Sequence, residues 1–301
     1  MSAVAEKVRG GRPGRAREAF WGYAFVILPM AVFGIFFLFP MGYAVYISFF
    51  DWGFNGADHS VGFDNYRNAL HDPLFWRSLR NIGEFTLMVV PAQMALGLFM
   101  AVIVNQKIRA RPFFRSAFYF PSIASSAAIT TIAIFILNSD GLLNHVLGFF
   151  GIDHEDAWFA VPKTAMPAIA GLNAWTTSGT MMLFYLASLQ AIPNDVYEAA
   201  EIDGAKPRQS FFFVTLPLLL PIMLVAITFR LIDAAKLFDI IYTLTRGGPG
   251  TQTYTTSYYL YYQGFERFHL GQGTAGAWMF MIVLSVISFW LVRRLLQPVE
   301  A

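Results

Sequence analysis

The amino-acid sequence predicts an all-α integral membrane protein, with six membrane-crossing helices and a further helix outside the membrane between the fourth and fifth. Three observations predict it. Apolar residues make up 56% of the 301 residues, charged residues only 13%, and the mean hydropathy is +0.50. A soluble domain carries roughly 25% charged residues to face water, so much of this chain's outer surface has no solvated coat. Six stretches free of Asp, Glu, Lys and Arg are each long enough to cross hydrocarbon, which takes about 20 apolar residues. Lysine and arginine are also divided unequally between the two sets of connections that six spans create.

In chain order the uncharged stretches are 19–50, 85–106, 116–139, 164–194, 209–229 and 268–292. They predict spans at about 20–48, 83–105, 116–138, 165–189, 216–237 and 272–295. Residues 19–296 then form one transmembrane domain between a basic tail, 1–18, and a short tail, 297–301. The first stretch is too long for the apolar region of a secretory signal and no small-residue cleavage site closes it, so it reads as a retained first helix. The uncharged run 247–265 has one aliphatic residue, Leu260, and reads as an interfacial loop with a short helix. Pro29, Pro40, Pro91, Pro121, Pro167 and Pro221 fall inside spans, where neighbouring helices can re-satisfy the carbonyls they free.

Orientation follows from the cations. Segments 1–18, 107–115, 195–208 and 293–301 hold 13 Lys/Arg in 50 residues, whereas 51–84, 140–163 and 230–267 hold 8 in 96. This threefold difference places the first set, and both termini, in the cytoplasm. Lys107, Arg109, Arg111, Arg115 and the pair Arg293 and Arg294 lie close to span ends, and their plainest role is topological. A net charge of +2 gives no case for nucleic-acid binding. The absence of cysteine excludes disulfides, thiolate metal sites and a cysteine nucleophile. His59, His71, His145, His154 and His269 are scattered without metal-ligand spacing. There is no G-x-x-x-x-G-K-[ST] phosphate loop, so no nucleotide, metal or other cofactor is expected on this chain.

The segment 190–215 is the most informative. Asp195 is placed to cap the first amides of a short helix, and Glu198, three residues on, completes a capping box. Val196, Ala199, Ala200 and Asp203 lie near one face, and the two alanines permit close approach. Gly204 is placed to take the left-handed conformation that ends a helix. Pro207 can open the next, since its missing amide costs nothing in a first turn. That second helix runs through Phe211, Phe212 and Phe213 into Leu216, Pro217 and span five. A rigid knob joined to a membrane helix is what mechanical coupling between a soluble motor and a bundle requires.

Glu198-Ala199-Ala200, then Gly204, then Val214-Thr215-Leu216-Pro217 resemble the E-A-A-x3-G-x9-I-x-L-P loop of permease subunits in binding-protein-dependent ABC importers, with Val214 for Ile the one departure. Further segments resemble the carbohydrate branch, which handles maltose-like oligosaccharides and glycerol 3-phosphate. They are Gly62-Phe63-Asp64-Asn65-Tyr66, Asp72-Pro73-Leu74-Phe75-Trp76, Gly141-Leu142-Leu143-Asn144, and the run from Phe229 and Arg230 to Pro249. The likeness covers roughly 20–296. It implies a type I ABC importer permease fold in a bacterial or archaeal cytoplasmic membrane. It also implies that Asp195, Glu198, Ala199, Ala200, Asp203, Gly204, Leu216 and Pro217 seat against an ATP-hydrolysing subunit. ATP and Mg would be bound by a dimer of such subunits, with no catalysis on this chain. A second homologous permease, forming a heterodimer, and an extracytoplasmic solute-binding protein complete the implied partners.

Candidate substrate residues fall in two spans. Arg230, Asp233, Lys236 and Asp239 alternate in sign at the end of span five. If the hydrocarbon run starts at Gln209 they are a solvated extension; if it starts near Leu218, Arg230 lies deep and must face a polar cavity, where an ionisable residue is a functional candidate. Arg230 would suit a phosphorylated substrate unless Asp233 consumes its charge. In span four, Asn173, Trp175, Thr176, Thr177 and Ser178 combine hydroxyls with an aromatic ring, which suits a sugar, though small residues also serve helix packing. Arg246, Gly247, Gly248 and Pro249 form a turn before Tyr254, Tyr258, Tyr259, Tyr261 and Tyr262. The tyrosines read as an aromatic belt at the outer interface, and the turn as a place where a solute-binding protein could dock. An ion-coupled secondary transporter is the alternative function, but it needs acidic residues deep in the spans, and Glu84 is almost the only one outside the span-five cluster.

Overall fold

The computed structural model describes residues 15–106, 109–152 and 155–295. Residues 1–14 of the basic tail, Lys107, His154 and the tail 297–301 lie outside the described residues. The chain opens with α1 (Arg15–Phe33), a π-turn (Gly34–Leu38) and α2 (Phe39–Ser48), which run on as one helix. The π-turn lies where the ring of Pro40 would meet the carbonyl four residues back, and a wider turn relieves that conflict. A second π-turn, Phe211–Thr215, stands in the same relation to Pro217.

The fold is not purely helical. β1 (Phe50–Gly53) and β2 (Gly56–Ser60) form an antiparallel hairpin, with Phe50 opposite Ser60 and Gly53 opposite Gly56. Asn55-Gly56 is the turn signal that the segment carries, and Gly56 takes a φ of +101°. Then α3 (Asp64–His71) leads to α4 (Pro73–Asn105). The carboxylate of Asp72 accepts the Leu74 amide at 2.9 Å and Pro73 occupies the first turn, so α4 starts ten residues before the predicted span. At ~1.5 Å per residue its 33 residues reach about 50 Å.

The third predicted span is two helices, α5 (Arg111–Ile123) and α6 (Ser126–Ile136), set at 96° to each other. Ala124 and Ser125 are extended between them. Here tertiary contact decides the direction of the chain. Ser122 donates its hydroxyl to the Thr176 carbonyl at 2.6 Å, and α5 approaches Gly179 so closely that a Cβ there would meet the Phe118 carbonyl oxygen. α6 instead turns toward the segment 239–244. α7 (Leu142–Phe149) follows, and then α8 (Ala165–Ala191).

The remaining elements are α9 (Asn194–Ile202), α10 (Pro207–Ser210), α11 (Leu216–Ala235), α12 (Asp239–Leu244), α13 (Thr256–Tyr261) and α14 (Leu270–Leu295). Among the described residues four helical segments are long and apolar enough to cross a membrane: Phe20–Ile47, Pro73–Asn105, Pro207–Leu244 and Leu270–Arg293. The bent pair α5–α6 can make a fifth. The predicted fourth span, α8, is long enough at 27 residues but is interrupted by Asn, Thr, Ser and Gly. It packs against both α4 and α5, with α11 alongside. Its buried face, which includes Thr176, Ser178 and Gly179, is turned to protein and need not be apolar. Phe85, Val89, Met181, Met182, Tyr185 and Leu219 form the centre of this core. The span Phe20–Ile47 contributes no buried residue in its apolar stretch.

Candidate functional site

At the end of the bundle where α4 finishes, the segment between α8 and α11 is a bounded knob. Pro193, extended at ψ 141°, precedes α9, which begins at Asn194. The predicted capping box therefore does not form, and no side chain caps the helix. Asp195 sits instead inside the first turn, where the positive end of the helix dipole still favours its charge. The stop is as the sequence suggests. Gly204 has φ +80°, its amide donates to the Glu201 carbonyl at 3.0 Å, and the Ala205 amide donates to that of Ala200 at 2.9 Å. These paired bonds satisfy the last carbonyls, and the positive φ is one that a glycine adopts without strain.

Pro207 opens α10, whose Gln209 side chain accepts the Lys206 amide at 2.8 Å. α10 passes through the π-turn Phe211–Thr215 into Leu216, Pro217 and the rest of α11. α9 itself buries nothing: Glu198, Ala199 and Asp203 are exposed, Ala200 is half-buried, and Ile202 is 86% exposed. Among the described residues its side-chain tie to the chain is a hydrogen bond from Thr215 Oγ1 to the Tyr197 hydroxyl, 3.2 Å.

In the middle of the bundle a buried polar chain joins three helices. Arg230 is 7% exposed; its Nε donates to Gln93 Oε1 at 2.8 Å and its Nη1 to Asp233 Oδ2 at 3.0 Å. Gln93, fully buried, donates its amide to Asn173 Oδ1 at 2.8 Å and to Thr177 Oγ1 at 2.6 Å. Gln93 stands roughly 30 Å along α4 from one end and about 18 Å from the other at the usual helical rise. Arg230 is thus deep, and the solvated-extension alternative fails for it. Asp233 is 62% exposed, Lys236 caps the end of α11, and Asp239 opens α12. The sequence reading missed Gln93. The available signal was an amide far from either end of the uncharged run 85–106.

Asn173 belongs to this chain, but Trp175 and Ser178 do not. Trp175 is half exposed in an apolar cleft of about 540 Å³ with Phe120, Ile132, Trp158 and Leu172. Ser178 is fully buried and donates to the Trp175 carbonyl at 2.9 Å. A second cleft, of about 260 Å³, lies beside the polar chain and is lined by Thr180, Phe184, Phe229, Arg230, Asp233 and Lys236.

At the opposite end of α4 the turn after α12 is tightly folded. Arg246 is exposed, at φ +48°, with its guanidinium 5.9 Å from the Tyr242 ring centre. Gly247 is buried against Tyr254, and Gly248–Pro249 is a cis peptide. The Thr253 hydroxyl donates to the Gly248 carbonyl at 2.6 Å. Of the five tyrosines read as a belt, Tyr261 and Tyr262 are half-buried and the other three turn inward. Tyr254, Tyr258 and Tyr259 are buried, and α13 packs against α4; the Tyr254 hydroxyl has no hydrogen bond among the described residues. Asn81 donates to the carbonyls of Thr251 and Tyr254 at 2.7 and 3.0 Å, and the Tyr259 hydroxyl donates to Asp72 Oδ2 at 2.9 Å. Burial, with the Asp72 carboxylate beside it, raises the Tyr259 hydroxyl pKa above its ordinary value. The other family-like segments also act as staples. Asn65 donates to the Ser48 and Phe50 carbonyls at 2.9 and 2.8 Å, and Asn144 to those of Ser139 and Asp156 at 2.9 and 3.1 Å.

The sequence profile of the family described as binding-protein-dependent transport system inner membrane component matches residues 93–300. The trehalose/maltose transport system permease protein MalF of Thermococcus litoralis is 35% identical over 279 residues, 92% of this chain and 93% of that protein. The sulfoquinovosyl glycerol transport system permease protein SmoG of Agrobacterium fabrum is 37% identical over 261 residues, 84% of this chain and 83% of that one. In structure the fold is similar to a chain of a bacterial alginate ABC transporter crystallised with an alginate pentasaccharide-bound periplasmic protein. That match has a TM-score of 0.82 at 21% identity and covers 97% of this chain and 99% of that chain.

Proposed function

This chain belongs to the family of binding-protein-dependent transport system inner membrane components, and we propose that it is one of two permease subunits of an ATP-driven ABC importer for a sugar or sugar-like solute. In this reading α1–α2, α4, α5–α6, α8, α10–α11 and α14 are the six crossings. Both termini and α9 face the cytoplasm, and the 245–254 turn with α13 faces outward. The permease performs no catalysis; ATP and Mg belong to a dimer of partner subunits, and the work of this chain is conformational. The sugar class is supported by the transport substrates named for MalF and SmoG. Delivery of solute by an extracytoplasmic binding protein is supported by the periplasmic protein present with the similar alginate transporter.

The observation that carries the reading is α9. It is held in shape by its own backbone stop, exposes its residues, and is continuous through Pro207 with the helix that bears Arg230. A displacement of α9 by an attached motor is therefore delivered to the middle of the bundle. The buried charged side chain among the described residues is a cation with its bonds largely made, whereas an ion-coupled carrier calls for a buried carboxylate. The test is co-expression with the neighbouring permease and ATPase genes. A complex whose ATP hydrolysis rises with the loaded binding protein is expected, and uptake by this polypeptide alone in liposomes would overturn the reading.

A further inference from the structure

The cleft beside Arg230 combines charged and apolar side chains. Of the three guanidinium nitrogens, Nε is tied to Gln93 and Nη1 to Asp233, while Nη2 has no hydrogen bond among the described residues and is not sealed from the cleft. The two ties differ in kind. Gln93 is fully buried and anchored on α8, so it holds the guanidinium in place. Asp233 is 62% exposed and reaches in from the open side. Its carboxylate occupies a position that any other anion could take. One turn on, Lys236 lines the same cleft and has no ion pair among the described residues. With Arg230 and Asp233 cancelling, Lys236 leaves the cleft one positive charge in excess; Asp239 does not line it. Phe184, Phe229 and Met181 supply apolar walls, the surface that the faces of a pyranose ring require.

We propose that this cleft takes a sugar bearing a negative group, carboxylate, sulfonate or phosphate, whose anion displaces Asp233 from Arg230 and is held by Arg230 and Lys236. The proposal rests on the permease reading, with this cleft on the solute path, and names the class of solute for it. Asp233 is then a placeholder that keeps the buried guanidinium satisfied while the cleft is empty. Bonds from a guanidinium to an anion are among the stronger polar contacts and add orientation. A neutral sugar cannot replace the carboxylate without leaving the buried cation under-satisfied.

The chain has no cysteine, so Thr180→Cys places a single thiol on the wall of the cleft. In the assembled transporter the thiol is treated with a sulfonate-bearing or a trimethylammonium-bearing methanethiosulfonate reagent. The anionic reagent is expected to react on the order of tenfold faster, as one unscreened charge within a few ångströms allows. That ratio should fall to about one in Lys236→Gln, persist in Lys236→Arg, which controls for folding, and rise in Asp233→Asn. Glucuronate, and not glucose, should slow the reaction. Equal rates, or a faster cationic reagent, would overturn the anionic class and leave the solute path standing. A thiol that reacts with neither reagent would remove the cleft from the path and the proposal with it.

Discussion

The two regions of this molecule that depart most from a plain apolar bundle are opposites. The polar chain of Gln93, Asn173, Thr177 and Arg230 lies inside the bundle around the buried Gln93 and Arg230, each group holding the next. The helix α9 is exposed, its carboxylates have no ion pair among the described residues, and it touches the chain through little more than Tyr197. Burial of polar groups in the first case is supported by partners inside the chain, as it must be where water is absent. In the second, shape comes from backbone bonds alone, which leaves the side chains free for a surface that another molecule provides. Substitutions in the first region should therefore register as lost stability of this chain, and those in the second as lost coupling.

Gln93→Leu is the severest way to probe that contrast. It strands the Arg230 Nε and the Asn173 side-chain oxygen, and should cost about 3 kcal/mol. Thermal unfolding of the purified permease in detergent measures it, and an unchanged midpoint would show that the polar chain holds nothing together. Gly204→Val ranks next. A β-branched residue in the left-handed region costs roughly 1–2 kcal/mol, and the strain falls on the stop of α9. Uptake should be lost while membrane insertion persists and ATP hydrolysis no longer responds to loaded binding protein. Preserved uptake would mean that the knob need not be rigid. Glu198→Ala should have the smallest effect on the chain itself, within about 0.5 kcal/mol for an exposed position. The yield of co-purified ATPase should nevertheless fall. A large drop in the unfolding midpoint would instead put Glu198 in the first region.

Legibility in the sequence followed the same divide. Long uncharged runs marked the helices at 15–48, 73–105, 207–235 and 270–295, since a run of apolar residues with no charge has few other destinations. The end of α9 at Gly204 was readable because that stop is local backbone chemistry. Its start was not, because Pro193 set the boundary two residues early and left Asp195 no capping position. The hairpin escaped notice although Asn55-Gly56 announces it, because two strands of four and five residues hold little periodicity.

Composition and spacing by themselves determined that this chain enters a membrane, where its main helices run, and that a bounded helix leads into α11. Each of these depends on residues near one another along the chain. Only the tertiary structure decided that Gln93 and Arg230, 137 positions apart, meet, that the bend after Ile123 turns α6 away, and that the tyrosines at 254–259 point inward. In those places the competing local states are close in energy. For Gln93 with Arg230, for Ser122 at the bend and for Tyr259 with Asp72, the outcome was set by which distant partner was there to satisfy a polar group that hydrocarbon would not.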